Sequence, residues 1–255
     1  MNRFWTSIIK PLIDITEPKH LIEIGAFTGI NTKNILEYSK DINLKLTCIE
    51  PYPLFNIIEL TEKYGFKFEL KKGLSIDELP KIDNYDLVLI DGDHNWYTVY
   101  NELKLIQNKY LQTTYPIIVL HDIGWPYGRR DAYYNPENIP EKYRHPFAKR
   151  GISPSQSELP KLGGINSHIY NALHEFGFQN GVLTAIEDFI QESQLHLKFI
   201  RIPVNNGLGI LVPNSLISAN KELALFIENI TLSPEITDLH FYIEKYLYEK
   251  PLINM

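Results

Sequence analysis

The sequence predicts an α/β fold built on a doubly wound, mainly parallel sheet of about seven strands, with an antiparallel hairpin at one edge. Three observations carry that prediction. Strand-like and helix-like stretches alternate through the first half of the chain, the pattern of βαβ units with right-handed crossovers. The strand-like stretches are continuous apolar runs, as a parallel sheet covered on both faces requires. Nearer the other end, Asn205-Asn206-Gly207 separates two β-rich runs, a turn signal for a hairpin.

Residues 20–24 form a short apolar run ending at Gly25, and 31–38 read as the helix that follows. Residues 44–50 predict a second strand, 53–64 a second helix, 66–71 a third strand and 75–79 a brief helical turn. Residues 85–90 are strongly apolar, and 96–110 show helical spacing at Tyr97, Tyr100, Leu103, Leu105 and Ile106. A fifth strand is expected at 116–120. From Gly124 to about Lys161 the texture changes: six of the sixteen prolines fall here (126, 136, 140, 146, 154 and 160), with no periodicity. A segment this long without regular structure is a lid or a disordered stretch. Its aromatics, Trp125, Tyr127, Tyr133, Tyr134, Tyr143 and Phe147, argue for order. Beyond it, helices are expected at 167–176 and 183–193, hairpin strands at 197–204 and 208–212, and amphipathic helices at 221–230 and 234–248. The chain, 1–255, thus reads as a single domain with 124–166 as an inserted lid and 217–255 as closing helices. Gly163-Gly164-Ile165-Asn166 is the expected hinge of the lid.

Composition narrows the function classes. Hydrophobic residues make up 44% and charged residues 22%, an ordinary globular mix. The net charge of −6 and pI near 5.8 argue against a nucleic-acid partner. A single cysteine, Cys48, excludes an intrachain disulfide and a thiolate metal cluster. No stretch approaches the roughly 18–20 apolar residues of a membrane span, and residues 1–5 do not read as a cleaved leader. A reducing cytoplasm and a small-molecule partner are therefore expected, with homo-oligomerisation left open.

The sharpest local signal is Glu23-Ile24-Gly25-Ala26-Phe27-Thr28-Gly29, an apolar strand running through a glycine turn into a helix. The two glycines let the backbone approach a ligand closely, and the helix start offers free N–H groups. The spacing is not G-x-G-x-x-G, which counts against a dinucleotide. Glu50, at the end of the second strand, can accept hydrogen bonds from both hydroxyls of a ribose. Gly73-Leu74-Ser75 follows the third strand, where an adenine would lie, and Asp91 closes the fourth. Glu50 and Gly73 each have a plain reading, as a solvated strand end and a turn, but their order is that of a nucleoside site.

On these residues the chain resembles the class I S-adenosylmethionine-dependent methyltransferases, whose fold is Rossmann-like. Within them it is similar to the sugar and natural-product O-methyltransferases of the macrocin O-methyltransferase type. The resemblance covers about residues 18–122. It implies an enzyme that transfers a methyl group from S-adenosylmethionine to a small polar acceptor. Glu23, Gly25, Ala26, Phe27, Thr28, Gly29, Glu50, Ser75 and Asp91 would hold the cofactor.

Asp91-Gly92-Asp93-His94 closes the fourth strand and His121-Asp122 the fifth, so both clusters should converge beside the cofactor. Three carboxylates and two imidazoles in one crevice call for pairing, a metal or a chemical use. Methyl transfer to a hydroxyl needs the acceptor aligned and its proton removed. His94, Asp93 and His121 are the candidate bases. His94 falls where catechol O-methyltransferase has its catalytic lysine, whereas sugar-type relatives use the second Asp of an Asp-x-Asp pair, here Asp93. Metal-dependent relatives carry an Asp after the fourth strand and another after the fifth, matched by Asp91 and Asp122; a divalent cation, Mg2+ by its oxygen ligands, is expected there. The pattern departs at Ile123, where catechol O-methyltransferase has a ligating Asn.

Between Arg129 and Arg150, six basic residues stand against three acidic ones, a local net charge of +3. Trp125, Tyr127, Arg129, Arg130, Tyr134, Arg144 and Arg150 are the expected acceptor contacts, since aromatic faces suit sugars and arginine forks suit phosphate. A sugar or phosphate-bearing acceptor follows; a solvated loop or an oligomer contact is the plain alternative. Two rivals remain: a metal-dependent hydrolase using the Asp/His cluster, and a non-catalytic cofactor-binding protein.

Overall fold

The computed structural model describes residues 1–110 and 115–248. Short helical turns at Asn2–Phe4 and Trp5–Ile9 lead into α1 (Lys10–Thr16), an opening that the sequence pattern does not announce. Four βα units and a fifth strand follow: β1 (His20–Ile24), α2 (Ile30–Ser39), β2 (Lys45–Ile49), α3 (Ile57–Tyr64), β3 (Phe68–Lys71), α4 (Ser75–Glu78), β4 (Leu87–Ile90), α5 (Trp96–Lys109) and β5 (Ile117–His121). Helix α3 starts later than its periodicity suggests because Asn56 caps it, its side chain accepting from Glu59 N at 3.2 Å.

The sheet runs β3-β2-β1-β4-β5-β10-β9, parallel through β5. Strands β9 (Leu197–Ile202) and β10 (Leu208–Pro213) form the expected antiparallel edge hairpin, with Asn205, Asn206 and Gly207 all at positive φ in its turn. Successive residues of the central strands alternate between two cores. Leu21, Leu87, Leu89 and Val119 pack on one face with α1, α2 and α8 (Lys221–Ile230), while Ile22, Val88, Ile90 and Ile118 pack on the other with α5 and α6 (Val182–Glu192). That is why the strands read as unbroken apolar runs.

The segment after β5 is ordered but differs from expectation. Strands β6 (Ala132–Tyr133), β7 (Phe147–Ala148) and β8 (Tyr170–Ala172) make a second sheet in the order β6-β8-β7. The helix expected at 167–176 is therefore replaced by strand β8. Its backbone is claimed by tertiary pairing on both sides, and Asn171 Nδ2 donates to the carbonyl of Arg150 at 2.8 Å. The expected hinge at 163–166 lies inside the insert, where Ile165 pairs with Ile152. The chain rejoins the main fold at Gly181, which has φ +92° and no room for a Cβ against Arg130 N. The insert has its own small core of Trp125, Tyr127, Ala132, Ile152 and Leu159.

Helices α7 (Asn214–Ala219), α8 and α9 (Pro234–Leu247) close the described chain; residues 249–255 of the expected C-terminal helical region lie outside it. Phe241 of α9 packs on the core, and Lys245 pairs with Glu175 of the insert at 3.2 Å. Among the described residues no helix is long and apolar enough to cross a membrane.

Candidate active site

A cavity of about 760 Å³ opens beyond the C-terminal ends of β1 and β4, where the strand order reverses. Its size falls inside the roughly 300–1,000 Å³ of small-molecule sites, and its position is where open α/β sheets bind ligands. The glycine turn forms one wall. Gly25 has φ +85°, and a Cβ there would lie 2.1 Å from the Asp91 carbonyl oxygen, so only glycine lets these strand ends meet. Ala26, Phe27 and Thr28 also border the cavity, whereas Gly29 stands behind them as the first cap of α2.

Glu50 is buried on the opposite wall, its two oxygens accepting from Phe27 N and Tyr52 N at 2.8 Å each. These bonds fix the carboxylate in place and leave further lone pairs for a ligand. Ser75, Asp91, Asp93 and His94 complete the lining on this side. Glu23 also borders the cavity, from the side of β1. Its carboxylate accepts from Asn31 Nδ2 (2.8 Å), Thr32 Oγ1 (2.6 Å) and Cys48 Sγ (3.2 Å), stitching α2 to β1 and β2. Burial pushes this carboxyl above its usual range, and the three donors offset that only in part.

The polar cluster gathers as expected. His121 Nδ1 lies 2.7 Å from Asp122 Oδ2 and 3.3 Å from Asp91 Oδ1, while the Met1 ammonium donates to Asp91 Oδ2 at 2.6 Å. Burial works against the charged form of His121, but Asp122 and Asp91 outweigh it and push the imidazole up to about 10. His121 is thus a cation at neutral pH, which removes it as a ready base. Asp91 is drawn the other way: burial opposes ionisation, yet the His121 and Met1 charges hold it well below the usual carboxylate range. One ligand atom each from Asp91, His121 and Asp122 falls within 4.8 Å of the others.

His94 borders the cavity with Nδ1 3.5 Å from Asp122 Oδ2. Its ring stacks on Tyr127 at 5.5 Å with an interplanar angle of 2°, and the Tyr134 ring meets it edge-on at 5.9 Å. Asp93 lies beside it, accepting from Thr98 Oγ1 at 3.2 Å; burial raises its carboxyl, countered by His94 and Thr98.

Of the acceptor contacts expected in the insert, Tyr134 lines the cavity and the others do not. Trp125 and Tyr127 are buried in the insert's core, where Tyr127 braces His94. Arg129 forms a two-pronged pair with Glu187 of α6. Arg130 is fully buried, donating to the carbonyls of Ala172 and Ser157. Arg144 pairs with Glu137 at 3.0 Å, and Arg150 donates to the Leu159 carbonyl. The arginines are consumed in holding an insert with little regular structure, because its turns leave carbonyls that need donors. The insert instead presents Tyr134, Asn135, Asn138, Ile139 and His168 to the cavity.

Two residues without a predicted role belong to the site. Asn31 borders the cavity, buried, and its Oδ1 has no partner. Its place just after a glycine turn was the available signal. Asp131 is buried between Trp96 N, Gly181 N (2.7 Å each) and the Tyr133 hydroxyl (2.9 Å), fastening the insert to α5. Burial raises its carboxyl to about 6, with those donors pulling down.

Residues 22–123, from β1 through β5, match a family model described as a methyltransferase domain. No curated protein matches the chain. Among solved structures it is similar to the S-adenosylhomocysteine-bound methyltransferase PaMTH1 of Podospora anserina, with a TM-score of 0.50 and 18% identity, covering 80% of this chain and 75% of that one. It is also similar to the 1,6-didemethyltoxoflavin-N1-methyltransferase of Burkholderia thailandensis (TM-score 0.46, 11% identity, 82% and 76% covered). At 18% identity the likeness to PaMTH1 speaks for the fold alone.

Proposed function

We propose that this chain, a class I S-adenosylmethionine-dependent methyltransferase, methylates a hydroxyl of a small, neutral, sugar-like acceptor, with His94 as the base. One observation carries the reading: a single cavity joins the glycine turn, Glu50 and His94 to a wall of uncharged polar and aromatic side chains from the insert. The residues present suit the cofactor. A Cβ at Gly25 would fill the cradle, Glu50 is oriented to accept from ribose hydroxyls, and the unpaired Asn31 Oδ1 suits an ammonium group. Bound there, S-adenosylmethionine supplies an electrophilic methyl group on a sulfonium.

The acceptor hydroxyl would approach from the Tyr134 side. His94, on the cavity wall, would take the proton that the hydroxyl loses on accepting the methyl group. Asp122 near Nδ1 and Tyr127 under the ring hold the imidazole so that Nε2 is the free nitrogen. The choice of a neutral over an anionic acceptor rests on the engaged arginines, since Arg129, Arg130, Arg144 and Arg150 all have partners elsewhere.

The set Asp91, His121 and Asp122 also suits a divalent cation, which would take the place of the His121 proton, and its imidazole makes it friendlier to manganese or iron than an all-oxygen set. Bound there, the cation would lower the pKa of the acceptor oxygen.

Calorimetry with S-adenosylhomocysteine and a radiolabelled methyl-transfer assay on a panel of neutral and phosphorylated sugars test the reading. His94→Gln is expected to lower kcat by about a hundredfold or more with cofactor affinity retained. Absence of S-adenosylhomocysteine binding, or an unchanged kcat in His94→Gln, overturns it. Chelation followed by readdition of Mn2+ or Mg2+ reports on the cation independently.

A further inference from the structure

Helix α5 carries an acid where its pattern calls for an apolar side chain. Val99, Leu103 and Ile106 form its buried stripe, and Glu102 stands on the same stripe, fully buried. Neither of its carboxyl oxygens has a hydrogen-bond partner among the described residues. A buried, unpaired carboxylate is costly, so the group resolves the cost by keeping its proton. Burial pushes it up to about 8, the Ser75 hydroxyl pulling down and Asp93 adding to the rise.

The surroundings of Glu102 are otherwise uncharged. Asp93, in the loop after β4, is the one charged group acting on it among the described residues, and the group facing it from α4 is the neutral Ser75 hydroxyl. No ionisable group of α6 or of the Leu79–Lys81 turn, which also pack on α5, acts on it. Ser75 is itself buried and borders the cavity, whereas Glu102 does not reach it. Of the two cavity-lining groups that act on Glu102, Asp93 acts through its charge and Ser75 through a hydroxyl that can exchange a hydrogen bond with it. The Glu102 and Ser75 side chains are neighbours with no hydrogen bond between them, which leaves the direction of the Ser75 proton open to the state of Glu102.

We propose that Glu102 is a positioning residue for the adenine end of the cofactor site: as a neutral acid it donates to the Ser75 oxygen, turning the Ser75 proton toward the cavity, where an adenine ring nitrogen accepts it. Once ionised, Glu102 can only accept, and it draws the Ser75 proton inward. The ring nitrogen then loses its donor. Cofactor affinity is therefore full while Glu102 is protonated and falls as the pH rises through about 8. This inference rests on the S-adenosylmethionine reading above and adds to it a proton-controlled donor that holds no contact with the ligand.

Calorimetry with S-adenosylhomocysteine from about pH 6.5 to about pH 9.5 tests it, using the full chain and three variants. Wild type is expected to lose affinity as the pH rises through about 8 and to level off about five- to tenfold weaker, the loss of one hydrogen bond. Glu102→Gln, a permanent neutral donor of nearly the same size, is expected to bind as wild type does at neutral pH and to lack that decline. Glu102→Leu and Ser75→Ala are expected to bind about five- to tenfold more weakly at neutral pH, as the loss of one hydrogen bond implies, and to lack the decline as well. Any slope shared by wild type and Glu102→Gln belongs to the ligand or to other groups. Superimposable profiles for those two proteins overturn the proposal, whatever Glu102→Leu does to folding. Failure of wild type to bind at any pH overturns the methyl-donor reading instead, a different result.

Discussion

The strand-end half of the site and the insert that walls it use polar residues in opposite ways. Around the ends of β1, β2 and β4, polar groups are left with capacity to spare: Asn31 Oδ1 has no partner and Glu50 holds a fixed carboxylate on the cavity wall. In the insert, Arg130, Arg150 and Asn171 donate to turn carbonyls, and Asp131 accepts from two backbone N–H groups and a hydroxyl. These side chains serve the segment itself even where Arg130 Nε, Arg150 Nε and Asn171 Oδ1 stay unpartnered. The first half rests on a sheet whose backbone satisfies itself, so its side chains are free for a ligand. The second has two- and three-residue strands and must use side chains to hold its shape. Charge in a lid is therefore weak evidence for a charged substrate.

The sharpest break in that contrast is to remove the fastening of the insert. Asp131→Ala deprives three buried donors of their acceptor and is expected to cost about 3–5 kcal/mol, read as a lower urea midpoint. S-adenosylhomocysteine binding should survive in the folded fraction while the acceptor KM rises. Equal loss of both would show that the two halves are one unit. Next in size, Glu50→Ala is expected to weaken S-adenosylhomocysteine about a hundredfold, some 3 kcal/mol, by removing the acceptor for two ribose hydroxyls. Calorimetry reads this directly, and a change below threefold would dissociate Glu50 from the ribose. The smallest effect belongs to Arg129→Ala and Arg144→Ala. Their partly exposed pairs should contribute under 1 kcal/mol, and kcat/KM should move less than twofold. A tenfold rise in acceptor KM at unchanged stability would return an anionic acceptor to favour.

The sheet was legible because β1, β2, β4 and β5 are buried on both faces almost throughout, and a run such as Leu87–Ile90 has no other plain reading. The glycine turn was legible because the close approach of the Asp91 carbonyl admits no Cβ at Gly25, and Glu50 because it stands at a strand end on the cavity wall. The insert was not, since strands as short as Ala132–Tyr133 carry no period and pair with partners far along the chain. Arg130 reads from sequence as a surface cation, and its burial becomes intelligible only once the carbonyls of Ser157 and Ala172 surround it. Glu102 could have been found by its place in the α5 stripe. The loss of His121 as a base could not, because it depends on two carboxylates converging from separate strands.

The contact at Gly25 reaches beyond chemistry into how such a protein can change. No side chain fits between residue 25 and the Asp91 carbonyl, so that corner of the molecule has a single spelling and gives selection nothing to vary. The wall that the insert supplies meets no such backbone contact at Tyr134, Asn135, Asn138 and His168, which are carried by a segment with its own core. A lineage can exchange that segment and keep the donor pocket intact. A laboratory library aimed at new acceptors belongs at those four positions, where diversity leaves the inherited half of the reaction in place.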